Sequence, residues 1–115
     1  MSNVNETRKY LRRVAAIIRS GWTQGPIAVD RSGSGTDATD PAACKWCLAG
    51  AMRLARRDLH DWGPYYDAER AIKVVCRMTP ISYNETRGRT KQQVLAKIRE
   101  AIERLPRMRH MRSTV

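Results

Sequence analysis

Apolar residues return every three or four positions near the start of the chain. Val4, Thr7, Leu11, Val14 and Ile18 mark one face of a helix over residues 3–20, with Tyr10 and Ile17 beside them and Gly21 as the stop. A second helix is expected over residues 40–59, with Asp40 as N-cap and Pro41 in the first turn, where its missing N–H costs nothing. Ala43, Cys47, Leu48, Ala51, Leu54 and Ala55 make it apolar over much of its circumference, and Gly50 inside it permits a close approach by a neighbour. A third helix is expected over residues 65–77, turning Ala68, Ala71, Ile72, Val75 and Cys76 inward, with Pro80 beyond its end. Thr90 and Gln93 fit a capping box that opens a fourth, which buries Val94, Leu95, Ile98, Ala101, Ile102 and Leu105.

The segments between these helices are turn-rich. Residues 21–26 carry Gly, Thr and Pro, and residues 31–39 are small and polar. The second of these lacks the Lys-Ser/Thr ending of a phosphate-binding loop. Residues 27–29 and 81–83 are short β-prone runs that could pair. The pattern therefore predicts a mainly α, four-helix single domain over residues 1–105, with at most a small two-stranded β element. A basic, flexible tail is expected over residues 106–115.

Composition bounds the picture further. At 115 residues and 42% hydrophobic content the chain fills one modest core, with Trp, Tyr and aliphatic residues supplying the bulk that an absent Phe does not. No run approaches the ~18 apolar residues of a membrane span, and the N-terminus lacks a basic-then-apolar signal, so no membrane partner and a cytoplasmic location in a bacterial or phage-infected cell are expected. Three cysteines without a secretory signal argue against a disulfide framework.

Charge changes the picture most. Lys and Arg number 22 against 11 Asp and Glu, a formal +11, and seventeen of the basic residues are Arg. Such a surplus selects partners rather than fold: phosphates or acidic protein surfaces. The planar guanidinium fork suits both phosphate and carboxylate. The basic set has three parts. Arg8, Lys9, Arg12 and Arg13, with Arg19 beyond them, lie on the outer face of the first helix. Arg87, Arg89 and Lys91 form a basic turn, and Arg107, Arg109 and Arg112 lie in the tail. Aromatic interleaving of the kind single-strand binders use is sparse, with only Tyr83 and the Tyr65–Tyr66 pair near basic residues. A merely solvating basic surface is the competing explanation.

Cys44-Lys45-Trp46-Cys47 is the one string with possible chemistry. A redox pair needs a helix start just after a strand. A zinc site needs two further ligands, for which only Cys76 with His60 or His110 are at hand. A nucleophilic Cys47 needs a His held in place by a third group. Small apolar residues filling a helix core account for the string more simply. No metal or other cofactor is expected.

Several strings together resemble a known family. These are Gly21-Trp22-Thr23-Gln24-Gly25, then Asp30-x-x-Gly33, then Trp46-Cys47-Leu48-Ala49-Gly50-Ala51, then Asn84-Glu85-Thr86-Arg87-Gly88-Arg89-Thr90 leading into a helix. The resemblance is to the small bacterial and phage proteins of the domain-of-unknown-function group 6197, over about residues 8–105. Such proteins usually read Trp-Asn-Asp where this chain has Tyr83-Asn84-Glu85, and Cys44 lies outside their pattern. The resemblance implies an origin and a set of family-type positions, and no activity. Trp22, Asp30, Trp46, Cys47 and Asn84 come from separate segments and could converge, either as a small-ligand pocket or as a structural knot in which Asn84 and Asp30 fix turns and Trp46 packs on Gly50.

The function expected from these features is non-enzymatic binding of a polyanionic partner, nucleic acid first, by a small accessory protein of phage or mobile-element type. The alternative is a phage-encoded inhibitor of a host defence complex, of the anti-CRISPR kind, acting on an acidic protein surface. A small enzyme built on Trp46, Cys47 and Asn84 is the third reading.

Overall fold

The computed structural model describes residues 3–113, with side chains to residue 106. Five helices and a three-stranded sheet follow the order α1 (Val4–Ser20), β1 (Ala28–Val29), β2 (Gly35–Thr36), β3 (Lys45–Trp46), α2 (Leu48–Arg56), α3 (Gly63–Cys76), α4 (Pro80–Glu85) and α5 (Lys91–Ser113). The domain is mainly helical, as the apolar periodicity requires.

Helix α1 is the axis of the molecule and packs against α2, α3 and α5. Its apolar face goes inside as expected: Leu11, Val14 and Ile18 are fully buried, and Tyr10 sends its hydroxyl to the Met52 carbonyl at 2.6 Å. Asn3 caps its start by accepting the Glu6 N–H at 2.8 Å. Ile72 from α3 and Val94 and Ile98 from α5 complete the core. The Thr90 capping box forms as read, with Gln93 N–H on Thr90 Oγ1 at 3.2 Å and Thr90 N–H on Gln93 Oε1 at 3.1 Å.

Three expectations are corrected. The second helix begins at Leu48, and residues 40–47 are a turn and a strand. Asp40 and Pro41 do initiate a turn, in which the Ala42 and Ala43 N–H groups fold back onto Asp40. The turn stops there because Cys44, Trp46 and Cys47 give their N–H groups to Val29, Gly21 and Ile27. The same capping chemistry opens a turn or a helix, and distant backbone partners decided between them.

The β element has three strands rather than two. Its order is β2-β1-β3, both pairs antiparallel, with Ala28 opposite Thr36 and Trp46. Residues 81–83 take no part in it. They lie in α4, where Thr79 accepts the Ser82 N–H and Pro80 occupies the first turn. Pro80 starts a helix as readily as it follows one.

Finally, α5 continues through Pro106 to Ser113, where the sequence placed a tail from residue 106. An internal proline removes one hydrogen bond without of necessity ending a helix, and the Arg and Met that follow are good helix formers.

Gly50 admits the close approach expected of it. A Cβ there would collide with the carbonyl oxygen of Ile27, so the glycine lets the backbone just ahead of β1 lie directly on α2.

Candidate functional site

Asn84 is fully buried, and every hydrogen-bonding position of its amide is used. Oδ1 accepts the Trp22 indole N–H at 2.7 Å and the Leu48 N–H at 3.0 Å. Nδ2 donates to the Thr23 carbonyl at 3.2 Å and to Glu85 Oε2 at 2.8 Å. Gln24 and Gly25 close the seam: Gln24 Nε2 donates to the Asn84 and Thr86 carbonyls, and the Gly25 N–H to Glu85 Oε1. Only a primary amide supplies two acceptor and two donor directions at one point. Asn84 therefore ties α4, the segment after α1 and the start of α2 together, and it spends its polarity doing so.

Cys47 sits beside this hub as the N-cap of α2. Its Sγ accepts the Gly50 N–H at 3.3 Å, and burial pushes its thiol pKa up. Burial raises the Cys76 thiol to about 11. A nucleophilic or metal-binding thiol needs the opposite shift. Cys44 and Cys47 flank the extended pair Lys45–Trp46. At ~3.3 Å per residue their Cα atoms stand about 10 Å apart, beyond the reach of a disulfide. Among the described residues, no three His, Cys, Asp or Glu side chains gather as a metal site would require.

Trp46 directs its indole N–H to the Ala38 carbonyl at 2.9 Å and bridges to Trp22 through the backbone. Asp30 stands apart from this group. Its Oδ1 accepts the Ser32 N–H, the Ser32 hydroxyl and the Ser34 N–H, closing the β1–β2 hairpin. Those bonds, the Ser32 hydroxyl foremost, lower its pKa. Of the five family-type positions, Asn84 bonds Trp22 directly, Trp46 joins Trp22 through the backbone, Cys47 precedes the Leu48 N–H that Asn84 holds, and Asp30 lies apart.

The basic residues divide by what they touch. Arg8 donates to Asn5 at 2.7 Å, and Arg13 pairs with Asp58. Lys9, Arg12 and Arg13 border a hollow of about 580 Å³ that also holds Glu6, Asp58, His60 and Asp61, so cations and carboxylates balance there. In the basic turn, Arg87 is exposed. Arg89 is committed to the fold: its guanidinium lies 3.6 Å from the centre of the Tyr83 ring, and Nε donates to the Tyr83 carbonyl at 2.9 Å. Lys91 donates to the Arg19 carbonyl at 2.7 Å, at the negative end of α1. The side chains of Arg107, Arg109 and Arg112 lie outside the described residues.

A site the sequence did not point to lies between α1 and α5. Arg12 and Arg19 on one side face Gln92 and Arg99 on the other, across a groove of about 400 Å³ floored by Ala15, Leu95, Ala96, Ile98 and Ile102. Among the described residues, no carboxylate lines it. Arg99 carried no signal of its own in sequence. It matters because Lys91 lies at the end of α1, so the two helices run antiparallel and bring Arg99 opposite Arg12.

No helix among the described residues is long and apolar enough to cross a membrane. Neither a curated protein nor a solved structure matches the chain. A family model does match, over residues 2–104, nearly the whole length and including the Asn84 hub and the residues that line the groove. The chain belongs to the family of unknown function DUF6197.

Proposed function

We propose that this protein binds a polyanionic partner, nucleic acid in the first place, without catalysing a reaction, and that phosphates sit in the α1–α5 groove. One observation carries the proposal: three arginines from two helices face one groove that, among the described residues, no carboxylate lines. A guanidinium fork on either wall can take a phosphate oxygen from each side. The Asn84 amide has its polar atoms taken up by Trp22, Leu48, Thr23 and Glu85, which leaves none of them for a phosphate.

Titration of labelled duplex and single-stranded oligonucleotides at two salt concentrations tests this. Affinity should fall with salt, by roughly 0.9 log unit per log unit for each duplex phosphate contact. Arg12→Ala with Arg99→Ala should lower both the affinity and that slope. Absence of binding at low salt, or binding indifferent to salt, overturns the proposal. Stoichiometric retention of a protein after nuclease treatment, lost in the same double variant, would instead assign the groove to an acidic protein surface such as an inhibitor of a host defence complex would engage.

A further inference from the structure

We infer that Trp62 and Tyr66, at the start of α3, form a base-stacking platform, so that the strand taken by the α1–α5 groove is single. This rests on the nucleic-acid reading of the groove.

Both rings are large, and both are open. Trp62 is 47% exposed and Tyr66 58%, although an apolar ring is normally buried on folding. Their ring centroids lie 6.0 Å apart, with a tilt of 34° between the planes. Tyr65 holds the pair from beneath by its edges, at 5.8 Å and 79° to Trp62 and 5.3 Å and 69° to Tyr66. Tyr65 in turn meets the edge of buried Tyr10 at 6.3 Å. The platform is thus pinned to the core, and stacking on it costs little ordering of side chains.

Two arginines stand at the platform. The Arg56 guanidinium lies 4.5 Å from the Trp62 ring centre and 5.0 Å from that of Tyr65. Arg70, one helical turn beyond Tyr66, is exposed. Paired rings and guanidinium groups of this kind take a base by its π-face and a phosphate by its charge.

The platform also connects with the groove. His60, Asp61 and Pro64, which flank Trp62 in the chain, line the hollow beside α1, and Arg12 lines both that hollow and the groove. The carboxylates around the platform include engaged ones: Glu69 accepts the Tyr65 hydroxyl at 3.4 Å and pairs with Lys73, Asp58 pairs with Arg13 and Arg57, and Asp61 accepts the Gly63 N–H at 2.9 Å. A duplex keeps its base faces stacked inside, so only an unpaired strand can use Trp62 and Tyr66 while its phosphates reach Arg12.

The test measures binding of the whole protein to a labelled oligothymidylate of about 16 nucleotides and to a duplex of equal length, by anisotropy, with thermal unfolding alongside. Trp62→Ala and Tyr66→Ala should each weaken single-strand binding about tenfold, leaving duplex binding and the salt slope unchanged. Arg12→Ala with Arg99→Ala should weaken both. Should Trp62→Ala unfold the domain, the more exposed Tyr66→Ala decides. Single-strand affinity within twofold of wild type in the folded aromatic variants, while the arginine variant loses binding, overturns the platform and leaves the groove standing. Preference of the wild type for duplex does the same. Failure of the wild type to bind either probe removes both readings.

Discussion

Asn84 Oδ1 and the indole N–H of Trp22 meet at 2.7 Å across 62 residues of chain. The same oxygen holds the first N–H of α2 at 3.0 Å, so one buried amide sets both the exit from α1 and the entry to α2. Asn84→Ala should leave the Trp22 indole N–H, the Leu48 N–H and the Thr23 carbonyl without their partner. At about 1–3 kcal/mol for each buried group so stranded, the loss should reach about 3 kcal/mol or more in denaturant unfolding. Asn84→Asp keeps the acceptor but puts a second carboxylate beside Glu85. Its deficit should be larger at pH 7 than at pH 4, where the buried carboxyl takes up a proton. A deficit below 1 kcal/mol in Asn84→Ala would show that the hub is not what joins these segments.

Gly50→Ala sets helix propensity against steric contact. Propensity alone favours Ala by about 1 kcal/mol. A Cβ at Gly50, however, runs into the Ile27 carbonyl, which is held by the Cys47 N–H and cannot give way cheaply. The variant should be less stable than wild type by about 2 kcal/mol. Gly35→Ala, whose Cβ would meet only Pro26 at 3.6 Å, should be nearly neutral. Equal melting temperatures for the two variants would contradict the packing of the Ile27 backbone on α2.

The thiols should separate by burial. Cys76, with its pKa raised to about 11, holds about one thiolate per thousand at pH 8, and Cys47 is shifted the same way. Alkylation under native conditions at pH 8 should therefore modify half-buried Cys44 first. The other two should follow only at the rate of opening. Mass spectrometry of a time course gives the order directly, and early labelling of Cys47 would revive a reactive-thiol reading.

Raised thiol pKa values also have a consequence for stability. The folded state holds these protons more tightly than the unfolded chain does, so unfolding becomes more favourable as pH climbs past the ordinary thiol value. Stability should be level below about pH 8 and fall between about pH 9 and 11. Buried Tyr10, also raised by burial, adds to the fall toward its upper end. Replacing Cys76 by Ala should reduce the slope of stability against pH in that window.

Arg87 and Arg89 are two residues apart and should behave differently. Arg89→Ala loses the contact with the Tyr83 ring and the bond to the Tyr83 carbonyl, at about 1–2 kcal/mol together. Arg87→Ala, at an exposed position, should stay within about 0.5 kcal/mol of wild type. Paired thermal melts decide this. They also mean that charge reversal at Arg89 cannot report on a partner without a stability control, whereas Arg87 can.

The residues that declared themselves in sequence are those whose partners are near in the chain. Leu11, Val14 and Ile18 mark the inner face of α1 by their spacing, Gly21 ends it, and Thr90 with Gln93 opens α5, because each of these interactions closes within a helical turn. The basic surplus and its Arg bias were equally legible, since charge is a property of composition. What the tertiary structure alone decided involves partners far apart. Residues 45–46 became a strand because β1 offers them backbone groups, and residues 81–83 became helix because α4 must deliver Asn84 to Trp22 and Leu48. Arg99 joined Arg12 and Arg19 only because α5 runs back along α1. Local propensities differ by tenths of a kcal/mol, and a few long-range hydrogen bonds in a buried seam outweigh them.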